Sequence, residues 1–166
     1  MSTSRRILSA AAIIPAGVTA AVYTVFSTST MPRLASLPAA DGLARMQEFN
    51  RDAVQPPFML CFFGAAALSV AVIAAETRRP RGDRSLVRIG AGAAYLTGFA
   101  ITVAFHVPRN DALAVLDPMS PASVAPWTAF VEEWTAGNTV RAALSAGATI
   151  AFVVGAARTA QNRHLG

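Results

Sequence analysis

Two short runs of this chain gather side-chain types that can do chemistry. One is Phe105-His106-Val107-Pro108-Arg109-Asn110-Asp111. The other is Trp134, Asn138 and Arg141, spaced i, i+4, i+7 and therefore on one face of a helix. An imidazole titrates near neutral pH and exchanges protons readily. Guanidinium groups stabilise developing negative charge. Amides orient oxygen atoms, and flat rings stack on flat ligands. Asn50, ahead of Gln55-Pro56-Pro57, adds a third piece. Both runs sit at the ends of strongly apolar segments, where charged and amide groups are costly to desolvate, so their clustering points to a site. Each residue also has a plainer role open to it. Trp127 and Trp134 suit membrane-interface anchors, Arg141 can snorkel to headgroups, Asn110 can cap a helix, and His106 can be an interfacial histidine.

The elements that must position these residues are helices in a membrane. Hydrophobic residues make up 54% of the 166, charged residues only 14%, and mean hydropathy is +0.45; soluble domains carry about 25% charge. The length suits one domain, residues 1–166. Four segments are apolar enough to cross a bilayer, near 7–26, 57–75, 89–107 and 139–157. In lipid such runs must be helical, because backbone groups have to bond within the segment. The fold expected is an all-α integral membrane four-helix bundle, with two long outer loops carrying short amphipathic helices. Ala39 to Val54 is one of these, with Asp41 as its cap, and Trp127 to Trp134 is another. Pro108 is expected to stop the third span, with Asn110 and Asp111 capping a short helix after it. Pro118, Pro121 and Pro126 are expected to break the connection to the fourth span.

Every basic residue is Arg, and the net charge is +5. The arginines do not form a stripe with interleaved aromatics, so no nucleic-acid partner is expected. They fall between the apolar segments instead. Arg5, Arg6, the run Arg78, Arg79, Arg81, Arg84 and Arg88, and Arg158 and Arg163 share one side, which places both termini in the cytoplasm of a multi-pass cell-membrane protein. The first apolar region is longer than a cleaved signal normally has. Gly90, Ala94 and Gly98 form a small-residue face suited to close helix approach, and such faces leave a homo-oligomer open. Cys61 reads as a small core or lipid-facing residue. No internal repeat is legible. With only His106 and His164, one copy cannot build a multi-histidine metal or bis-histidine haem site. No metal and no cofactor is expected.

The chain resembles the anthrone oxygenase-like family of small four-span membrane proteins. The resemblance runs through Met31-Pro32-Arg33-Leu34, Met46-Gln47-Glu48-Phe49-Asn50, Pro57-Phe58-Met59, His106-Val107-Pro108-Arg109-Asn110-Asp111-Ala112-Leu113-Ala114 and Trp134-Thr135-Ala136-Gly137-Asn138-Thr139-Val140-Arg141. His106 stands where many relatives have asparagine, and Gly137 where an aromatic often precedes the last asparagine. The resemblance implies oxidation of an electron-rich polycyclic aromatic or polyketide by O2, without a cofactor, with the lipid bilayer, a hydrophobic aromatic molecule and O2 as partners. His106 would then be the base, and Arg109 or Arg141 would stabilise the aryloxide and a nascent superoxide or peroxide. Asn50, Asn110 and Asn138 would orient phenolic oxygens, and Phe105 and Trp134 would stack on the rings. Two alternatives stay open: a non-enzymatic bundle that binds a lipophilic ligand or partner protein, and a haem or copper redox protein.

Overall fold

The computed structural model describes residues 3–161, with side chains described for residues 7–157. Arg5, Arg6, Arg158, Arg163 and His164, part of the charge pattern at the termini, lie outside the described side chains. The elements are α1 Thr3–Val25, α2 Met31–Ala35, α3 Ala39–Ala53, α4 Phe58–Thr77, α5 Leu86–Ile101, α6 Val107–Ala114 and α7 Val124–Gln161. No strand occurs among the described residues. Four helical stretches are long and apolar enough to span a membrane: Ile7–Ala35, Phe58–Thr77, Leu86–Ala114 and Pro121–Ala157. The protein is an all-α membrane bundle.

It is built around two cores. The first lies among α1, α4, α5 and α7, on Ala12, Ala16, Ala65, Ala91 and Ala148 with Tyr95 and Phe152. Small side chains there bring backbones close, the main route to helix association where lipid removes the hydrophobic drive. The close approach on α5 does not use the expected Gly90, which has nothing near it. It uses Gly92, where an added Cβ would lie 2.9 Å from Ile73 Cγ1, and Gly98, which faces Leu144 and Ser145. At one end of this core Arg88 is buried rather than part of an exposed basic run. Its Nη1 donates to Glu76 Oε1 at 3.0 Å and its Nη2 to the Gly155 carbonyl at 2.8 Å, while the Ser85 N–H donates to Glu76 Oε2.

The second core comprises Met31, Leu34, Leu43, Met46, Leu113, Trp127, Phe130 and Trp134. Its seat is the N-terminal part of α7. At 38 residues and about 1.5 Å per residue, α7 extends about 57 Å, well beyond a hydrocarbon layer of about 30 Å. The helix therefore emerges from the membrane and carries α2, α3 and α6 against its flank. Trp127 and Trp134 are 4% and 5% exposed, core residues rather than anchors reaching for headgroups. Gln47 Nε2 donates to the carbonyls of Leu113 and Leu116, tying α3 to the end of α6.

Pro108 does not end the third span, and Pro32 does not end the first. Each helix passes its proline through a π-helical turn, Phe26–Thr30 and Thr102–His106. A proline ring strikes the carbonyl one turn back and lacks an N–H. Widening that turn removes the clash without ending the helix. Asn110 and Asp111 consequently lie inside α6, not at a cap. Pro126 sits in the first turn of α7, where a proline is tolerated, and the cap position of α3 is Pro38, with Asp41 in the first turn. In both spans the proline stands six positions after the turn begins and is followed by Arg, at Met31-Pro32-Arg33 and Val107-Pro108-Arg109. The chain thus does contain a repeated device, too short to read as a repeat in sequence.

Gly42 fixes how α3 docks. A Cβ there would come within 2.6 Å of the Leu34 carbonyl oxygen and 2.9 Å of the Trp127 ring. Overpacking of this kind costs about 1–3 kcal/mol. Gly42→Ala is expected to speed hydrogen exchange across α3 while leaving α4 and α5 protected. Unchanged protection of α3 would show that this contact does not seat it.

Candidate functional site

Between the two cores lies a cleft of about 140 Å³ that opens to the surface. Its aromatic wall comes from Tyr23 and Phe26 on the first span, Phe49 on α3, Phe58 and Phe62 on α4, and Trp134 on α7. Its polar groups are Asn50 on α3, Thr102 in the second π turn, Asn110 on α6 and Arg141 on α7. The structure therefore brings Asn50, Asn110, Trp134 and Arg141 together, although Asn50 and Arg141 are far apart in sequence.

Arg141 is the centre of this arrangement. It is 4% exposed, so it does not snorkel. Its Nη2 donates to Asn138 Oδ1 at 2.7 Å and its Nη1 to Thr102 Oγ1 at 3.1 Å. The guanidinium carbon lies 4.1 Å from the Tyr23 ring centroid and 5.4 Å from that of Trp134, a cation–π setting. Nε has no hydrogen-bond partner. Among the described residues the ion pairs join Arg79 to Glu76 and Asp83, Arg88 to Glu76, and Arg109 to Glu133; Arg141 has no acid. Its charge is met by hydrogen-bond acceptors and ring faces alone.

Asn138 makes this possible without lining the cleft. Fully buried, it donates from Nδ2 to the Tyr23 carbonyl and to Ser27 Oγ, each at 2.7 Å, while its Oδ1 accepts from Arg141. Every polar atom of the amide is engaged in holding Arg141 and joining α7 to the first π turn. Asn110 Oδ1 accepts the Trp134 indole N–H at 2.9 Å and fixes the plane of that ring. Asn50 lines the cleft, and its Nδ2 is buried and unpartnered.

The other three expected residues lie elsewhere. His106 is 1% exposed, behind Trp134, with Nε2 3.3 Å from the Trp134 carbonyl and the two rings edge to face at 5.2 Å. It does not line the cleft. Arg109 pairs with Glu133 at 2.8 Å and covers the Phe105 ring at 3.5 Å, and neither Arg109 nor Phe105 reaches the cleft. Gly137 supplies the space for this packing, since a Cβ there would lie 2.6 Å from Phe105 Cε1 and 3.0 Å from His106 Cε1. Among the described residues no three His, Cys, Asp or Glu side chains gather where a metal ion could be held.

Tyr23 and Thr102 also belong to the cleft, although neither stands out in the sequence. The tyrosine hydroxyl lies 3.3 Å from Thr102 Oγ1, which in turn donates to the Gly98 carbonyl. A signal existed. The chain has only two tyrosines, both inside apolar spans, and a buried phenol needs a polar partner. The other, Tyr95, donates to the Phe62 carbonyl at 3.0 Å and lies 3.2 Å from Thr19 Oγ1.

A family model described as anthrone oxygenase matches residues 46–151, which take in Asn50, Asn110, Trp134, Asn138 and Arg141. No curated protein and no solved structure matches the chain.

A buried cation without an acid is a stability cost. Arg141→Met is expected to raise the melting temperature in detergent by about 2–4 °C, equivalent to about 1 kcal/mol, even with one acceptor left idle on Asn138. Asn138→Leu is expected to lower it, because it strips Arg141 and strands the Ser27 contact. A melting point that fell in Arg141→Met would make this arginine a structural staple.

Proposed function

We propose, since the chain belongs to the anthrone oxygenase family, that it is a membrane oxygenase that oxidises an electron-rich, anthrone-type fused-ring aromatic with O2. The observation that carries this is Arg141, a buried guanidinium without an acidic partner, opening onto a cleft walled by aromatic rings. A cavity of about 150 Å³ accepts a benzene ring. The cleft is of that size, so one ring of the substrate enters it and the others extend past Phe49 and Val54, which stay exposed at its mouth.

The chemistry needs little beyond positioning. Loss of a proton from an anthrone leaves an aryloxide whose ring is electron-rich at the carbon opposite the oxygen. That anion passes an electron to O2, and the resulting pair combines at this carbon. One oxygen atom of O2 becomes the new carbonyl, and the other leaves as water with the two methylene hydrogens. The four electrons come from the substrate. Arg141 and Asn50 hold the ring oxygen as negative charge builds on it. Trp134, held by Asn110, and Phe62 keep the ring flat in the cleft. The charge pattern of Arg78, Arg79, Arg81 and Arg84 supports an orientation with that end in the cytoplasm and the cleft toward the outer face.

Oxygen uptake by the pure protein with a hydroxylated anthrone, corrected for spontaneous oxidation, tests this. One O2 per anthraquinone formed is expected, with kcat/KM about 10²–10³-fold lower in Arg141→Gln. Uptake equal to that of denatured protein would remove the oxygenase and leave a protein that binds a flat lipophilic ligand.

A further inference from the structure

We infer that the cleft takes its substrate as an aryloxide, which its own hydrogen-bond donors ionise, with water and not a protein side chain receiving the proton. This deepens the proposed oxygenase and depends on it only for the identity of the ring system.

The wall of the cleft is one-sided in its chemistry. Arg141, Asn50 and Asn110 present guanidinium and amide groups, and Tyr23 and Thr102 present hydroxyls. Among the described lining residues there is no carboxylate and no imidazole. The groups that touch Arg141 or line the cleft with it, and the one behind Trp134, agree from every side. They are Tyr23 from α1, Asn50 from α3, Phe58 and Phe62 from α4, Thr102 and, behind Trp134, His106 from the π turn, Asn110 from α6, and Trp134 and Asn138 from α7. The only titratable base in that circle is His106, which sits behind the Trp134 ring with Nε2 turned to the Trp134 carbonyl. Glu133, the acid on this stretch of α7 that reaches toward α6, is bound to Arg109 outside the cleft.

Two donors wait without acceptors. Arg141 Nε and Asn50 Nδ2 are both buried and both unpartnered, on residues of the cleft wall. Leaving a buried donor unmade costs about 1–3 kcal/mol, more when it is charged. A negatively charged ring oxygen that reached these donors would supply both the missing acceptors and the missing counter-charge; a neutral hydroxyl can accept but brings no charge, and its own proton needs an acceptor in turn. A site that prefers the anion lowers the ionisation point of what it binds, by linkage. The O–H bond of the phenol tautomer, or the methylene C–H of the keto tautomer, breaks. Its electron pair stays on the ligand, and the proton goes to water or hydroxide at the open mouth.

Single-ring phenols fit the cleft and report this without turnover. The probes are 4-nitrophenol, 3-nitrophenol and 4-chlorophenol, in decreasing order of acidity, bound to the full-length protein in neutral detergent and measured by equilibrium dialysis against empty micelles across pH. Affinity is expected to rise about tenfold per pH unit below each phenol's own ionisation point and to level off above it. The break then moves from phenol to phenol. Arg141→Lys is expected to bind more weakly with the same breaks, and Arg141→Gln to vary less than about twofold over the range. A break at one pH shared by all three phenols would mean that a protein group takes the proton, and would overturn the inference. So would wild-type binding that ignores pH or is absent. Failure of oxygen uptake with moving breaks would remove the oxygenase and leave the anion site standing.

Discussion

A guanidinium inside an apolar bundle has to be held, and in this protein the holding determines the architecture around it. Arg141 could not remain 4% exposed if Asn138 and Thr102 did not accept from it and Tyr23 did not cover its face. Asn138 can accept only because its own amide is anchored on the Tyr23 carbonyl and Ser27. That chain of contacts crosses from α7 to the first span and back to the third. It sets the separation of the helices at the level where the cleft opens, and so links a buried charge to the width of an aromatic slot.

The two prolines serve the same level of the bundle. Where a proline would normally end a helix, each odd-numbered span widens by one turn and continues. The first widened turn delivers Ser27 to Asn138, and the second delivers Thr102 to Arg141. It also turns Phe105 and His106 toward Gly137, away from the cleft. Because the helices run on past their prolines, α2 and α6 stay stiffly attached to the spans. They then form, with α3 and α7, an outer core whose inner edge is the cleft. Among the described residues the π-helical turns thus lie in the band where these polar groups meet.

Much of this arrangement was visible in the residues. Four apolar runs gave four spans, and the i, i+4, i+7 spacing put Trp134, Asn138 and Arg141 on one face, where they are found. Asn50 was legible from its place beside the second span's entrance. What spacing could not supply was depth. Asn138 and Arg141 differ by three positions, yet one lies behind the cleft and the other on its wall, because the partner of Asn138 is 115 positions away. Pro108 was misleading because the usual rule treats a proline as a stop, whereas one widened turn absorbs it. His106 and Arg109, the most reactive types in their run, are directed away by contacts on α7 that their own neighbours do not reveal: Gly137 makes room for one and Glu133 binds the other.

The chain contains its own control for what an arginine means inside a membrane bundle. Arg88 and Arg141 are both nearly inaccessible, at 1% and 4%, and each reaches across to other helices. Arg88 meets Glu76 at 3.0 Å and the Gly155 carbonyl at 2.8 Å, and it does not line the cleft. Its charge is matched within the protein, so its contribution is to join α4, α5 and α7. Arg141 has hydrogen bonds but no acid, and it faces a space the size of a ring. At the other end of the same bundle a carboxylate, Glu76, does stand beside the buried arginine. An acid beside Arg141 would occupy the donors and repel an anionic ligand, so in the proposed function the missing counter-charge is what would make the cleft selective. The same logic explains why the cleft wall is built from amides, hydroxyls and rings: these stabilise a cation without neutralising it.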